Sequence, residues 1–285
     1  MSPIVVTFVI FFGAIGAGVF GSLLGLGGGI IAVPLLTTVV YTKTEDIHFA
    51  IGAAIVAVVA TSTGGAVRYL RDNVANLRLG MYLEIGTCIG AVAGALLAGF
   101  ISGKYLYIIF GVVLLYSCLT LLRRTLKKQP VDDVQPHAID PLADKLNLHG
   151  SYYDPAEKKQ VTYRVRGSKP ALAIATLAGV NSGLLGVGGG IVKVPMMNVL
   201  MGVPMKASTA TSNFMIGVTA AAGATVYFMR GEVDPFVAGP LAAGVLCGAQ
   251  LGAKVFGRLR GDTLTRAFII VLFIIGCRMI WRGLA

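Results

Sequence analysis

The sequence predicts an all-α, polytopic transmembrane helical bundle. It is read as two inverted repeats of five segments, with helices interrupted at glycine-rich breaks. Three observations predict this. Of 285 residues, 55% are hydrophobic and 13% charged, where soluble domains carry about 25% charged residues. Apolar runs of about 17–25 residues recur, the length a helix needs to cross a bilayer. One motif is written twice within apolar surroundings, as GLGGGIIAVPLL at 25–36 and GVGGGIVKVPMM at 186–197. The runs are continuous rather than alternating, which argues against a transmembrane barrel.

The first run, residues 4–24, has no basic stretch before it and no small-residue cleavage site after it. It is expected to be a retained helix rather than a signal peptide. A short helix over 28–41 and longer ones over 49–70, 79–101 and 104–122 complete a first transmembrane repeat, 1–123. A polar linker rich in Pro, Asp and Lys spans 124–169. The series then recurs in 170–285, with segments at 170–185, 189–201, 206–229, 235–256 and 264–281.

The repeat is carried by particular residues. Gly27, Gly28 and Gly29 align with Gly188, Gly189 and Gly190, and Pro34 aligns with Pro195. More loosely, Gly64 meets Gly223 and Arg71 meets Arg230. Five crossings per unit turn the second copy upside down. With the basic linker placed in the cytoplasm, Arg68, Arg71 and Arg78 also fall inside, and the polar loop 42–46 falls outside. In the second half Lys206, Lys254, Arg258, Arg260 and Arg266 fall inside, against Arg230, Arg278 and Arg282 outside. That bias favours the inverted arrangement. The formal charge of +11 is spread over loops, so it reads as topology and not as nucleic-acid binding.

The short second helix of each half has about 14 residues, hence a length of about 21 Å. A hydrocarbon core is about 30 Å thick. A glycine triplet in front of such a helix bares backbone N–H groups at its positive end. Facing lipid they would be costly; facing a polar cavity they form an anion site. Matching breaks in two halves point to the binding site of a transporter built from inverted repeats. The alternative is that the glycines serve only close helix packing.

Lys193 lies deep in an apolar segment, where its repeat counterpart is Ala32. It is a candidate to hold a translocated anion, or a lysine that snorkels to the interface. Thr61 and Ser62, and Thr211, Ser212 and Asn213, form polar clusters in apolar helices. They can line a dehydrated anion, or bond between helices and back to the chain. Glu84 is read as a proton relay or the partner of a base such as Arg78. Cys88, Cys118, Cys247 and Cys277 read as apolar packing residues. His48, His137 and His149 fall in polar loops, and no metal site or cofactor is expected. No nucleophile–base–orienter set is recognisable, so an enzyme is not expected.

The two glycine motifs, ATSNFMI at 210–216, YFMRGEVDP at 227–235, LCGAQLGAKV at 246–255 and the GSYYD and YRV of the linker resemble the TauE/SafE family of sulfite exporter-like permeases. The resemblance implies secondary transport of a sulfur-containing anion, such as sulfite or sulfoacetate, across a prokaryotic inner membrane. It places Gly25, Gly27, Gly28, Gly29 and Pro34 in the first break. Gly186, Gly188, Gly189, Gly190, Lys193 and Pro195 fill the second, and Thr211 with Ser212 the family's Thr-Ser pair. The chain departs from the family at Ala53–Ala54, where a Thr-Ser is usual, and at Asn213, where an apolar residue is usual. The expected partners are a small anion and the lipid bilayer, with a homodimer as an admissible assembly. Another small organic anion, a cation, or a non-transporting scaffold role are the alternatives.

Overall fold

The computed structural model describes residues 3–40, 47–126, 140–256, 259 and 261–284. The loop 42–46, His137, Arg258 and Arg260, used above, lie outside the described residues. The first half comprises α1 (Pro3–Leu24), α2 (Gly29–Val39), α3 (Ile47–Arg71), α4 (Leu77–Ala98) and α5 (Gly103–Leu126). A short α6 (Pro141–Lys145) and a hairpin, β1 (Gly150–Asp154) and β2 (Lys159–Tyr163), follow. The second half comprises α7 (Ser168–Leu185), α8 (Gly190–Pro195), α9 (Met205–Met229), α10 (Pro235–Phe256) and α11 (Gly261–Leu284). Among the described residues, α1, α3, α4, α5, α9 and α10 are long and apolar enough to cross a membrane, and two shorter apolar helices follow the glycine breaks.

The second break departs from expectation. The single helix expected over 189–201 is α8 continued by a π-helical turn, Met196–Leu200. Pro195 has no N–H to give to the helical ladder, and the turn after it widens, with Met201 N donating to Met196 O at 3.2 Å. Such wide turns interrupt a helix locally. His48 also differs, lying in the first turn of α3 and not in a loop.

Glycine sets the helix packing. Gly244, Gly248 and Gly252 lay α10 on the backbone of Phe11, Ile15 and Val19, so α10 runs parallel to α1. Gly86, Gly90 and Gly94 lay α4 on Leu172, Thr176 and Val180 in the same way, and Gly179 and Gly183 return the contact to Thr87 and Ala91. Without side chains in between, the backbones approach closely enough for dense van der Waals contact, which is what drives association in lipid. Helices α5 and α11 pair antiparallel, with Gly111 opposite Ile280 and Gly283 opposite Ile108. Helices α3 and α9 meet at the centre.

The ends of α3 and α9 fix their directions. At one end of the bundle Arg230, after α9, donates to Ala95 O near the end of α4 at 2.8 Å and to Glu232 at 2.6 Å. Gly52, early in α3, packs on the Glu232 carbonyl there. At the other end the start of α9 meets the hairpin, and so does Asn76, just beyond the end of α3. Asn76 Nδ2 donates to Leu148 O at 2.8 Å and Tyr163 Oη at 3.2 Å, while its Oδ1 caps α4 by accepting from Leu79 N.

The polar linker is therefore built, in its described part, rather than featureless. Tyr152, Tyr163, Leu148 and Val165 bury against Leu79, Leu83, Met197 and Met201. Asp154 Oδ1 closes the hairpin turn by accepting from Ala156 N at 2.9 Å. The same oxygen takes Lys206 Nζ at 2.7 Å, with both side chains below 5% exposed. Asp140 caps α6 and holds Ser168 through its backbone N–H at 2.7 Å and its hydroxyl at 2.9 Å. Burial pushes the Asp140 carboxyl up, but the hydrogen bonds from Ser168, Ala143 and Leu142 outweigh it and hold it below the ordinary aspartate value.

The buried Lys206–Asp154 pair ties the linker to α9. Lys206→Met leaves Asp154 charged and unpaired, a loss of about 3–5 kcal/mol. Limited trypsin digestion should then cut the hairpin turn at Lys158 or Lys159 while the wild type resists. Lys159→Ala, which removes the half-exposed pair with Glu157, should change stability by about 0.5 kcal/mol or less.

Candidate functional site around the glycine breaks

Each break begins with backbone that an L side chain resists. Gly25 and Gly27 have φ of +69° and +68°; Gly186, Gly188 and Gly189 have +65°, +72° and +75°. Glycine takes this left-handed region without strain, and it ends α1 and α7 mid-sequence. The triplets Gly27–Gly28–Gly29 and Gly188–Gly189–Gly190 are buried, and the two breaks touch. A Cβ on Gly29 would meet the Gly186 carbonyl, and one on Gly190 would meet that of Gly25. Gly27 and Gly188 lie against the same two side chains, Val58 of α3 and Ile216 of α9.

Polar residues of α3 and α9 hold the breaks. Thr61 Oγ1 accepts from Gly28 N at 3.1 Å and donates to Ala57 O at 2.9 Å. Ser212 Oγ donates to Gly25 O at 2.8 Å. Asn213 Nδ2 donates to Ser22 O at 2.8 Å and to Thr209 O at 3.2 Å. Ser62 Oγ donates to Asn213 O at 2.6 Å, joining α3 to α9. Thr211 stands apart: its hydroxyl accepts from Asn76 N at 2.9 Å, towards the hairpin end. Most of this hydroxyl and amide capacity is thus engaged with the chain, although Asn213 Oδ1 and Thr209 Oγ1 are buried without a partner.

The backbone amides behave differently. Apart from Gly28, the amides that open the short helices have no acceptor among the described residues: Gly29 and Ile30 in the first break, Gly190 and Ile191 in the second. Buried N–H groups of this kind are rare. They are what a helix start offers to negative charge.

Lys193 is fully buried. It folds back along its own break, its Cε 3.3 Å from where a Cβ on Gly189 would sit. Its Nζ donates to Thr219 Oγ1 of α9 at 2.6 Å. Thr219 Oγ1 in turn lies 2.5 Å from Glu84 Oε1 and 3.2 Å from Thr87 Oγ1, both of α4. Glu84 Oε2 is 3.9 Å from Lys193 Nζ and has no hydrogen-bond partner. Cys88 Sγ donates to Glu84 Oε1 at 3.4 Å. The base that partners Glu84 is therefore Lys193, from the other half of the chain, and not Arg78. A buried ammonium demands a counter-charge, and Glu84 supplies it here.

Sequence spacing does not single out Thr219 or Thr87. Each is a lone hydroxyl in an apolar run, Val218–Thr219–Ala220 and Gly86–Thr87–Cys88, and each is easily read as bonding back to its own helix. They do bond back, to Met215 O and Glu84 O, but Thr219 also bridges Lys193 and Glu84. A cavity of 740 Å³ opens elsewhere, between α3 and α10, lined by Arg68, Arg71, Lys254 and Gln250. Asp72 also lines it and pairs with Arg68 at 3.7 Å.

The model of the family described as sulfite exporter TauE/SafE matches residues 10–279. The probable membrane transporter protein YunE of Bacillus subtilis is 29% identical over 94% of this chain and 95% of its own length. A probable membrane transporter protein of Xylella fastidiosa is 26% identical over 92% and 90%. One of Methanocaldococcus jannaschii is 23% identical over 92% and 91%. No solved structure matches the chain significantly.

Proposed function

Because the chain belongs to the sulfite exporter TauE/SafE family of membrane transporters, we propose that it is a secondary transporter that exports a small sulfur oxyanion or organosulfonate by alternating access. The observation that carries this is the set of buried amides at Gly29, Ile30, Gly190 and Ile191, without an acceptor among the described residues, in two breaks that touch and of which the second carries Lys193. These amides are donors at the positive ends of two short helices, and a compact oxyanion supplies acceptors to them. The anion sits between the two breaks, and Thr61, Ser62, Ser212 and Asn213 shape the surrounding backbone, while Thr211 lies away from it. The breaks touch each other in this arrangement, so the anion reaches them when the halves part.

The inverted-repeat reading is supported by the opposite directions of α3 and α9 and by the equivalent pairs α1 with α10 and α7 with α4. The linker lies on the cytoplasmic face of a prokaryotic inner membrane, as its basic character and the positive-inside rule favour. Close glycine packing is real as well, yet it uses the Cα faces and leaves the amides available.

Thermal unfolding of the purified protein tests the reading. Sulfite, thiosulfate or sulfoacetate at about 100 times Kd should stabilise it by about 2.7 kcal/mol, and chloride at equal ionic strength should not. A flat response to every sulfur anion and to carboxylates rules the reading out.

A further inference from the structure

Glu84 is placed so that it competes with any anion for Lys193. The two carry opposite charges in a buried setting, 3.9 Å apart, with the Thr219 hydroxyl bonded to both. Their halves of the chain differ, since α4 carries Glu84 while α8 carries Lys193 and α9 carries Thr219. An anion arriving at Lys193 would face the Glu84 carboxylate across a few ångströms of low-dielectric interior, where like charges repel strongly. Among the described residues, the charged and titratable groups in contact with Glu84 are Lys193 and Cys88. Glu84 Oε2 has no hydrogen-bond partner, which leaves one oxygen free to take a proton.

We propose that Glu84 is the proton-binding site that couples anion transport to proton movement, on the premise that Lys193 holds the anion. A proton from solution adds to Glu84 Oε2 and converts the carboxylate to a neutral acid. Lys193 keeps its own proton and its positive charge, now without an internal counter-ion. The anion takes the vacated place, and Thr219 keeps its bond to Lys193. When the proton leaves Glu84, the carboxylate recaptures Lys193 and expels the anion. One proton is thus bound with each anion, so the anion's own gradient and the proton gradient together set the direction of movement.

Proton linkage in the unmodified protein tests this. Sulfoacetate keeps its charge between about pH 6 and pH 8, well above carboxylate pKa values. Its Kd, from ligand-dependent thermal stabilisation, should fall about tenfold for each pH unit lowered, since one proton is taken up with each anion. Glu84→Gln, nearly the shape of the protonated acid, should bind sulfoacetate with a Kd that changes less than about twofold over the same range. A wild-type Kd that is independent of pH overturns the coupling and leaves anion binding standing. Failure of sulfoacetate, methanesulfonate and sulfite to stabilise at any of these pH values removes the transport reading and the coupling together.

Discussion

Gly190→Ala should leave little folded protein. The new Cβ has no room, because it meets the Gly25 carbonyl oxygen at the point where the two breaks touch. Backbone cannot swing aside as a side-chain tip can, so the loss should reach about 3 kcal/mol, the upper end of overpacking effects. Gly29→Ala presses on Gly186 in the same way and should behave alike. Gly16→Ala is the control: it lies within α1 with open space where the added Cβ would go, and should be neutral or gain about 0.5–1 kcal/mol. Thermal stability in detergent, followed by size-exclusion chromatography, reads all three. A Gly190→Ala protein as stable as the control would mean that the breaks do not pack as described.

These glycines explain what the sequence showed and what it hid. The breaks were legible because a triplet followed by an apolar run and a proline is unusual twice over, and their φ values bear out the need for glycine. The stripes Gly86–Gly90–Gly94 and Gly244–Gly248–Gly252 are equally visible as small residues four apart. Their partners are not, since α4 pairs with α7 and α10 with α1 across the whole chain, and spacing along one helix says nothing about which helix covers it. The hairpin leaves little mark in the sequence pattern, because Tyr152 and Tyr163 find their apolar cover on Leu79 and Met201, far away in sequence. Lys193 stood out as a charge in an apolar run. Its link to Glu84 did not, because Thr219 reads as an ordinary helical hydroxyl until α4 and α9 are brought together.

Removing Lys193 alone should be costly in a way that a lysine merely reaching for the interface would not be. Lys193→Met leaves Glu84 buried without its counter-charge, and the expected loss is about 3–5 kcal/mol. Adding Glu84→Gln to Lys193→Met takes away the orphaned charge and should recover most of that stability. The double variant removes the ammonium too, so it should fold without binding anions. A cycle of the four proteins, read by thermal unfolding, should give a coupling of at least about 1 kcal/mol between the two positions, as expected for residues in one buried network. Additive single and double changes would show that the pair does not act as a unit.

The most direct measurement is counterflow of labelled sulfoacetate into proteoliposomes, comparing the wild type with the folded Lys193→Met/Glu84→Gln protein. Wild-type vesicles preloaded with unlabelled anion should accumulate label transiently, and vesicles holding the double variant should match empty liposomes. Equal accumulation by both proteins would contradict the assignment of Lys193 as the residue that holds the anion.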